Sequence, residues 1–592
     1  VPRDTLEQLL QQGFDHFSAG RFSQADGFYR KILDRDPLNH EAIHMAAVIS
    51  HATGQTDRAA MLFARAIELA PNAGHYHHNA GKFFAEQDKH DSALVYLRRA
   101  VALIPNDPRI YANLAHSLRT TGKLDFAETA ARTGLTIQEK HPGCLAQLGN
   151  ILREMGRIPE AVDALKHSVA GRPLAAIHDN LIFALFNDPT LTPAGMMEHH
   201  RIYARLYADQ FAQHIQPHTN IDRAPDRRLR IAYLSADFRH HPVAAFMDGA
   251  FRNHDLTQFD VTCYAANLQE DDVTRQIKTY PLRYVDVRFD NFDQLDQRIR
   301  RDQIDILIDL SGHTAHNRLL NLAVKPAPIQ ISYLGDPGTT GFPQVDYRIS
   351  DPIVDPPGLT ESFYTESLLR LPGGFSCYTP DTKSHPDVSP LPALENGYVT
   401  FGSLHALAKI NDQVIDLWSI VLNSIPNSRL LMLRHTLTDS TLQRYTQAFI
   451  SRGIDPSRLQ FRHQPLGPTH LHTYRHIDCC LDTFPFSGHT TSCEALYNGV
   501  PTLTLNLPTL PPHSRMVSSI LTQAGLPDFI ATSPEDFLSR AIAISSDLPK
   551  LSALREKLRQ QMLSSPLCNA PTFTRELESA YRTAWHRFCA TP

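Results

Sequence analysis

Alanine returns every 34 residues through the first third of the chain, at Ala25, Ala59, Ala93, Ala127 and Ala161. Proline keeps the same step at Pro37, Pro71, Pro105 and Pro173, and its missing member falls at Glu139, three residues before Pro142. A larger residue holds the position between them, at Tyr29, Phe63, Leu97 and Leu165, with Ala131 as the weak member. Gly13, Gly81 and Gly149 mark the first helix of alternate units, and Ala47 and Ala115 fill the gaps. A period of this length accommodates two helices and their turns. Small residues let the two helices approach, and the large residue is expected to fill the groove between units. Proline has no N–H and clashes with the preceding turn, so it ends the second helix. One such unit cannot bury its apolar face alone, so the units stack into a superhelix with a concave face.

The spacing is that of tetratricopeptide (TPR) units, and five of them run from about Leu6 to Pro173. Residues 1–175 are therefore read as an α-solenoid, and 176–227 as a helical cap and connector. Asn79, Asn113 and Gln147 lie 34 residues apart on the first helices of their units and face the concave side. An amide carries both a donor and an acceptor, so this row can grip an extended peptide backbone without reading its sequence. A solvated polar position or a helix–helix hydrogen bond is the alternative for the same residues.

From about Arg228 the pattern changes to short β-rich runs separated by helix-length segments. "LRIAYLSAD", "FDVTCYAA", "IDILIDLS", "PIQISYLGD" and "VDYRISD" read as strands of one sheet, giving a first lobe over 228–385. After a proline-rich linker, "YVTFGSL", "SRLLMLR", "RLQFRHQ", "IDCCLDT" and "PTLTLNL" give a second lobe over 398–592. Strands alternating with helices mean parallel βαβ sheets, so the fold class is α/β with two Rossmann-like lobes, and ligands belong beyond the carboxyl ends of the strands. A chain of 592 residues exceeds what one core can hold, in agreement with several domains. The formal net charge of -5 argues against a non-specific nucleic-acid binder. No run of about 18 apolar residues occurs, so no membrane span is expected, and the opening Val-Pro-Arg-Asp-Thr has no leader-like apolar stretch. Eight scattered cysteines without a C-x-x-C pair argue against a disulfide framework or a zinc site and fit a cytoplasmic protein.

Four segments at strand ends carry candidate chemistry. In "SADFRHHPVAAFM", His241 lies in the turn before a helix, where a neutral imidazole can take a proton from a hydroxyl near pH 7. In "LSGHTAHNR" and "YLGDPGTTG", Asp309, Gly312 and His313 precede Gly335, Gly338 and Gly341, whose backbone, with Thr339 and Thr340, can approach a ligand in the cleft. In "LDTFPFSGHTTSCEALYNGVP", a strand ends at Asp482 and Thr483 and the Gly488–Thr491 turn opens a helix containing Glu494. Free N–H groups and a positive dipole end make such a helix start an anion site, and the Thr hydroxyls add donors for a diphosphate. Ordinary capping by Thr is the alternative. In "SLHALAKIND", Lys409 precedes a helix and can neutralise phosphate charge, where a plain surface lysine is the alternative. No Walker sequence is present and no Asp-x-Asp set stands at a strand end, so neither ATP-driven chemistry nor a metal-held diphosphate is implied.

Those residues, with "KPAPIQISYLGDPGTTG", "AKIND", "LDTFPFSGHTT" and "SSPLCNAPTFTRELESAYRTAWHRF" in the same order, resemble the TPR-containing O-GlcNAc transferase and Spindly-type protein glycosyltransferases. The resemblance runs from about Arg228 to Cys589, with the repeats in the expected place. It implies a GT-B fold, metal-independent inversion at the sugar carbon, and a nucleotide-sugar donor in place of a cofactor. It also implies protein acceptors held by the array. It suggests His241 near the reacting hydroxyl, Lys409 on the diphosphate, His489, Thr490 and Thr491 on the phosphates, Glu494 on the ribose and His470 near the base. "SGHTT" looks like the branch that uses UDP-GlcNAc, whereas "DLSGHTAHNR", "DPIVDPPG" and "GFSCYTP" look like the Spindly branch, whose plant members use GDP-fucose. Ala406 and Gly467 depart from the Gln and Lys that the animal GlcNAc enzymes carry there. The expected function is transfer of GlcNAc to Ser or Thr of protein acceptors. Fucose transfer, and a TPR scaffold with an inactive transferase region, are the rivals.

Overall fold

The computed structural model describes residues 4–219 and 221–590. Its chain divides into two compact units. The first is the array up to Leu152 together with Asp163–Arg172; the second takes Arg153–Val162 and everything from Pro173 onward.

The array consists of helix pairs Leu6–Ser18 and Phe22–Leu33, His40–Ala52 and Thr56–Leu69, Gly74–Glu86 and His90–Leu103, Pro108–Thr120 and Leu124–Ile137, and Pro142–Glu154 and Ile158–Gly171. The repeating alanines are fully buried, Ala25, Ala59, Ala93, Ala127 and Ala161 all at 0% exposure. Pro142 does not end the fourth pair; it is the first residue of the next helix, where its missing N–H costs nothing. The large residue fills the groove to the next unit, as Phe63 does against Phe83 with ring centroids 5.4 Å apart, and it also packs within its own unit. Tyr29 and Leu97 press on Gly13 and Gly81 of their own unit, so close that a Cβ at Gly81 would meet Leu97 Cγ at 2.6 Å. The small–large pair thus closes a unit from within. The polar row is likewise engaged: Asn79 Nδ2 lies 3.0 Å from His44 Nε2, and Asn113 Nδ2 lies 2.7 Å from His78 Nε2. Burial pushes His44 down to about 3 and lowers His78 as well, so both rings are neutral acceptors and the amides donate to them.

In the second unit, helices Ala175–Leu185 and Pro193–Tyr203 precede the first sheet. That sheet contains β1 (Leu229–Ser235), β2 (Phe259–Ala265), β3 (Arg283–Asp286), β4 (Ile306–Asp309), β5 (Ile329–Ser332), β6 (Tyr347–Ser350) and β7 (Ser367–Arg370). Its order is β3-β2-β1-β4-β5-β6-β7, and every pairing is parallel. The second sheet contains β8 (Thr400–Ser403), β9 (Arg429–Leu433), β10 (Leu459–Arg462), β11 (Cys479–Leu481), β12 (Thr502–Leu505) and β13 (Ile530–Ala531), in the parallel order β10-β9-β8-β11-β12-β13. Both are doubly wound, and the direction of winding reverses between β1 and β4 and between β8 and β11. At such a reversal the loops leaving the two strands diverge and open a crevice, which is where ligands sit in these folds.

The second lobe does not keep the chain to its end. Helix Ala570–Ala590 crosses to the first sheet, where Phe573, Leu577, Tyr581 and Trp585 join a core with Ile231, Tyr233 and Ile308. Tyr581 Oη lies 3.1 Å from Tyr233 Oη, and buried Glu578 accepts from the Asp255 N–H at 2.8 Å. The whole of 398–592 was read as the second lobe; the apolar surface that this helix covers belongs to the first.

Candidate functional site

The loops leaving β8 and β11 build one wall of the site. Asn411 caps helix Asp412–Ser424 and donates its amide to the Phe484 carbonyl at 2.7 Å, which ties the two loops together. This places Lys409 ahead of that helix, in the short turn Leu407–Lys409. Its ammonium donates to the Ser487 carbonyl at 2.6 Å and stands 3.7 Å from the Phe486 ring centroid. Asp482 braces the second loop by accepting from Gly488 N at 2.8 Å and from Thr504 Oγ1 at 2.7 Å. Gly488 has no room for a side chain, since a Cβ would strike Ser492 Oγ and lie 2.7 Å from His405 Cε1. Helix Thr490–Tyr497 follows at once and presents its first, unpaired N–H groups.

His241, Lys409, His470, His489, Thr490, Thr491 and Glu494 all line one cavity of about 590 Å³. Burial lowers the Lys409 ammonium from the ordinary lysine range, and the neighbouring Arg434 charge adds to this, against the pull of Asp482. Burial raises Asp482 in turn. A buried ammonium with a lowered pKa gains its full charge when an anion joins it. His489 is neutral, pushed down to about 3 by burial and by Lys409. Its ring stacks on Phe246 at 4.0 Å and on Phe375 at 5.4 Å, and its Nε2 is buried without a hydrogen-bond partner among the described residues. Thr491 Oγ1 lies 3.2 Å from His405 Nδ1. His470 Nε2 and Glu494 Oε2 are 3.3 Å apart.

On the first lobe, His241 is the N-cap of helix Pro242–Asn253, and its Nδ1 accepts from Val243 N at 3.3 Å. Burial lowers its pKa, with Asp237 opposing. The remaining first-lobe segment is mostly structural. Thr339 and Thr340 do not line the main cavity; both hydroxyls donate to buried Glu366. His313 is held between Asp179 at 2.8 Å and the Thr340 carbonyl at 3.1 Å, and Asp309 accepts from Gly312 N at 2.7 Å. Gly338 and Gly341 admit the chain's own Phe186 ring and His200 backbone in place of a ligand; only Gly335 of the three reaches the cavity.

Arg348, His405, Arg434, His435, His463 and His513 also line the cavity and were not singled out from the sequence. Arg434 carried a usable signal: it stands directly after β9, at the carboxyl edge of the sheet that also supplies Lys409. Its guanidinium donates to the Leu404 carbonyl at 3.5 Å. Together Lys409, Arg434 and a helix amino terminus put positive charge on one wall, and Glu494 with His470 put polar groups at its side. Such a wall suits a phosphate-bearing anion.

Comparison with known proteins agrees with that chemistry. Residues 205–381 and 391–577 match the model of glycosyl transferase family 41, and residues 143–172 match a tetratricopeptide repeat. The chain is 36% identical over 405 residues to the probable UDP-N-acetylglucosamine–peptide N-acetylglucosaminyltransferase SPINDLY of Solanum lycopersicum, covering 67% of this chain and 43% of that protein. It is 31% identical over 377 residues to the similarly named SEC protein of Arabidopsis thaliana, covering 62% and 38%. The match thus spans about two fifths of the length of these curated relatives. A solved structure of a lysine-to-methionine mutant of Thermobaculum terrenum O-GlcNAc transferase is 30% identical, with a TM-score of 0.69, and covers 99% of this chain and 98% of that one. The family match takes in both parallel sheets and the loops that carry His241, Lys409 and His489, and on that ground the chain belongs to glycosyl transferase family 41.

Proposed function

We propose that the chain is an inverting protein O-glycosyltransferase that moves GlcNAc from UDP-GlcNAc to Ser or Thr hydroxyls of protein acceptors recruited by the array. The observation that carries the reading is the wall on which Lys409, Arg434 and the unpartnered Nε2 of His489 meet at the start of helix Thr490–Tyr497. The acceptor oxygen attacks C1 of the sugar in line. The bond from C1 to the diphosphate breaks, and the diphosphate leaves with the electron pair. Lys409, Arg434 and the helix amino terminus stabilise the charge that grows on it, and being fixed beforehand they do so without reorganising. Side-chain cations thereby supply the charge neutralisation that a divalent metal provides in other designs, which supports a metal-independent reaction. Thr490 and Thr491 add hydroxyl donors for the phosphates, Glu494 is suited to the ribose hydroxyls, and His470 beside it to the base.

The test presents a panel of intact acceptor proteins with UDP-GlcNAc or GDP-fucose, with and without EDTA, and reads the products by mass spectrometry. A mass gain of one HexNAc, unaffected by EDTA, is the expected result. Transfer from GDP-fucose alone would overturn the donor assignment, and loss of transfer with EDTA would overturn metal independence. Nucleotide binding without transfer from either donor would favour the scaffold.

A further inference from the structure

His241 has one atom and two partners for it. Its Nδ1 lies 3.3 Å from Val243 N and 3.6 Å from Asp237 Oδ2. The two contacts exclude one another. The Val243 N–H needs a lone pair on Nδ1, whereas the carboxylate needs a proton there. Whichever wins sets the opposite edge of the ring, the edge left for the cavity that His241 lines. With Val243, Nε2 carries the proton and can only donate. With Asp237, Nε2 keeps its lone pair and can accept.

The surroundings favour the carboxylate. Asp237 is buried at the end of the loop from β1, with its N–H donated to Ser235 Oγ at 3.0 Å, so its position is fixed by the strand. Arg239 takes Oδ1 at 3.1 Å and leaves Oδ2 turned to the imidazole. A charge-assisted hydrogen bond is roughly twice as strong as a neutral one, and Val243, an early helix residue that is buried but lines the cavity, can give its N–H to water held there instead. The other groups facing this pair are His316, from the loop after β4, and Lys409 across the cavity. We propose that Asp237 is the positioning residue of the transfer: its carboxylate holds the Nδ1 proton of His241, so that Nε2 is free to take the proton of the acceptor hydroxyl.

The step balances. The acceptor oxygen forms its bond to C1 as the bond from C1 to the diphosphate oxygen breaks, the leaving group takes that electron pair, and the proton passes to Nε2. The resulting imidazolium is stabilised by Asp237, whereas the Val243 N–H would oppose it. The inference rests on the proposed transferase activity, but half of its test does not. Nitrogen-15 NMR of histidine-labelled free protein, assigned with His241→Asn, is expected to show an Nδ1–H tautomer in the native chain and an Nε2–H tautomer in Asp237→Asn. An Nε2–H tautomer in the native chain would overturn the proposal whether or not sugar is transferred. In the kinetic half, Asp237→Asn is expected to lower kcat about 10²-fold with little change in donor KM. It also moves the acidic limb of the pH profile to lower pH, because the imidazolium has lost its neighbour. Asp237→Glu should recover part of the rate. A loss of kcat matched by an equal loss of nucleotide affinity and of thermal midpoint, with the acidic limb unmoved, would make Asp237 a structural residue and overturn its positioning role.

Discussion

Two side chains in the cavity make separable demands. Lys409 touches the Ser487 carbonyl and the Phe486 face, so Lys409→Met keeps an apolar stem against the ring and removes only the charge. Transfer is expected to fall by about 10²-fold or more, as for loss of one preorganised charge at a leaving group, while the thermal midpoint stays close to that of the native chain. Near-native turnover in a folded variant would remove Lys409 from the mechanism. His489 poses a finer question because its ring is both stacked and polar. His489→Phe retains the stack on Phe246 and Phe375 and deletes the unpartnered Nε2. One hydrogen bond to a charged ligand corresponds to roughly a tenfold weaker nucleotide affinity. Calorimetric titration of the nucleotide should find that loss without a fall in stability, and unchanged affinity would make the ring purely a packing element.

At the level of helices and strands, glycine separates packing from propensity within the array. Gly27 lies inside helix Phe22–Leu33 with no atom within 4 Å of a Cβ built there, so Gly27→Ala should stabilise the array by about 0.5–1 kcal/mol. Gly81 carries the same helical advantage, but a new Cβ would meet Leu97 Cγ at 2.6 Å and Leu97 Cδ2 at 2.9 Å. Overpacking costs about 1–3 kcal/mol, more than the propensity gain, so Gly81→Ala should be destabilising. Urea unfolding of the two variants should move in opposite directions, and a shared sign would contradict the tight helix contact. These pairs also explain what was legible beforehand. The array could be read because four of the five units repeat the small–large–proline demand first met at Ala25, Tyr29 and Pro37. The strands that went unread, β3, β7 and β13, all lie at sheet edges. An edge strand buries less of itself, and Arg283–Asp286 has no fully buried residue, so it lacks the apolar run that marked β1 and β4. In the site, Lys409, His489 and Glu494 were readable from loops at strand ends. Arg434 went unread because it sits outside any turn motif, and Asp237 because an aspartate four residues before His241 carries no signal until the turn after β1 aims it at the ring.

Across the whole molecule, buried neutral histidines should govern the response to acid. His44 in the array and His405 and His513 in the second lobe are all buried and pushed down to about 3. Unfolding returns each to an ordinary value near 6.5. The unfolded chain therefore binds more protons below that point, and the stability present above pH 6.5 is lost as the pH falls. Between pH 6.5 and 5 each such ring costs on the order of 2 kcal/mol. Asp309, pushed up to about 6, works in the opposite direction, but its shift is smaller than that of any of the three rings. Thermal midpoints should therefore begin to drop near pH 6.5, well above the carboxylate range, and a flat response down to pH 5 would refute this assignment. The helix Ala570–Ala590 has a consequence of another kind. The first lobe is translated long before this helix, yet Trp585, Tyr581 and Leu577 are part of its core. While the second lobe is being made, the nascent first lobe carries an uncovered apolar seam against Tyr233 and the neighbouring strands. On the ribosome, that half of the protein has to wait for a helix translated after the second lobe, so its core closes only once both lobes have been made.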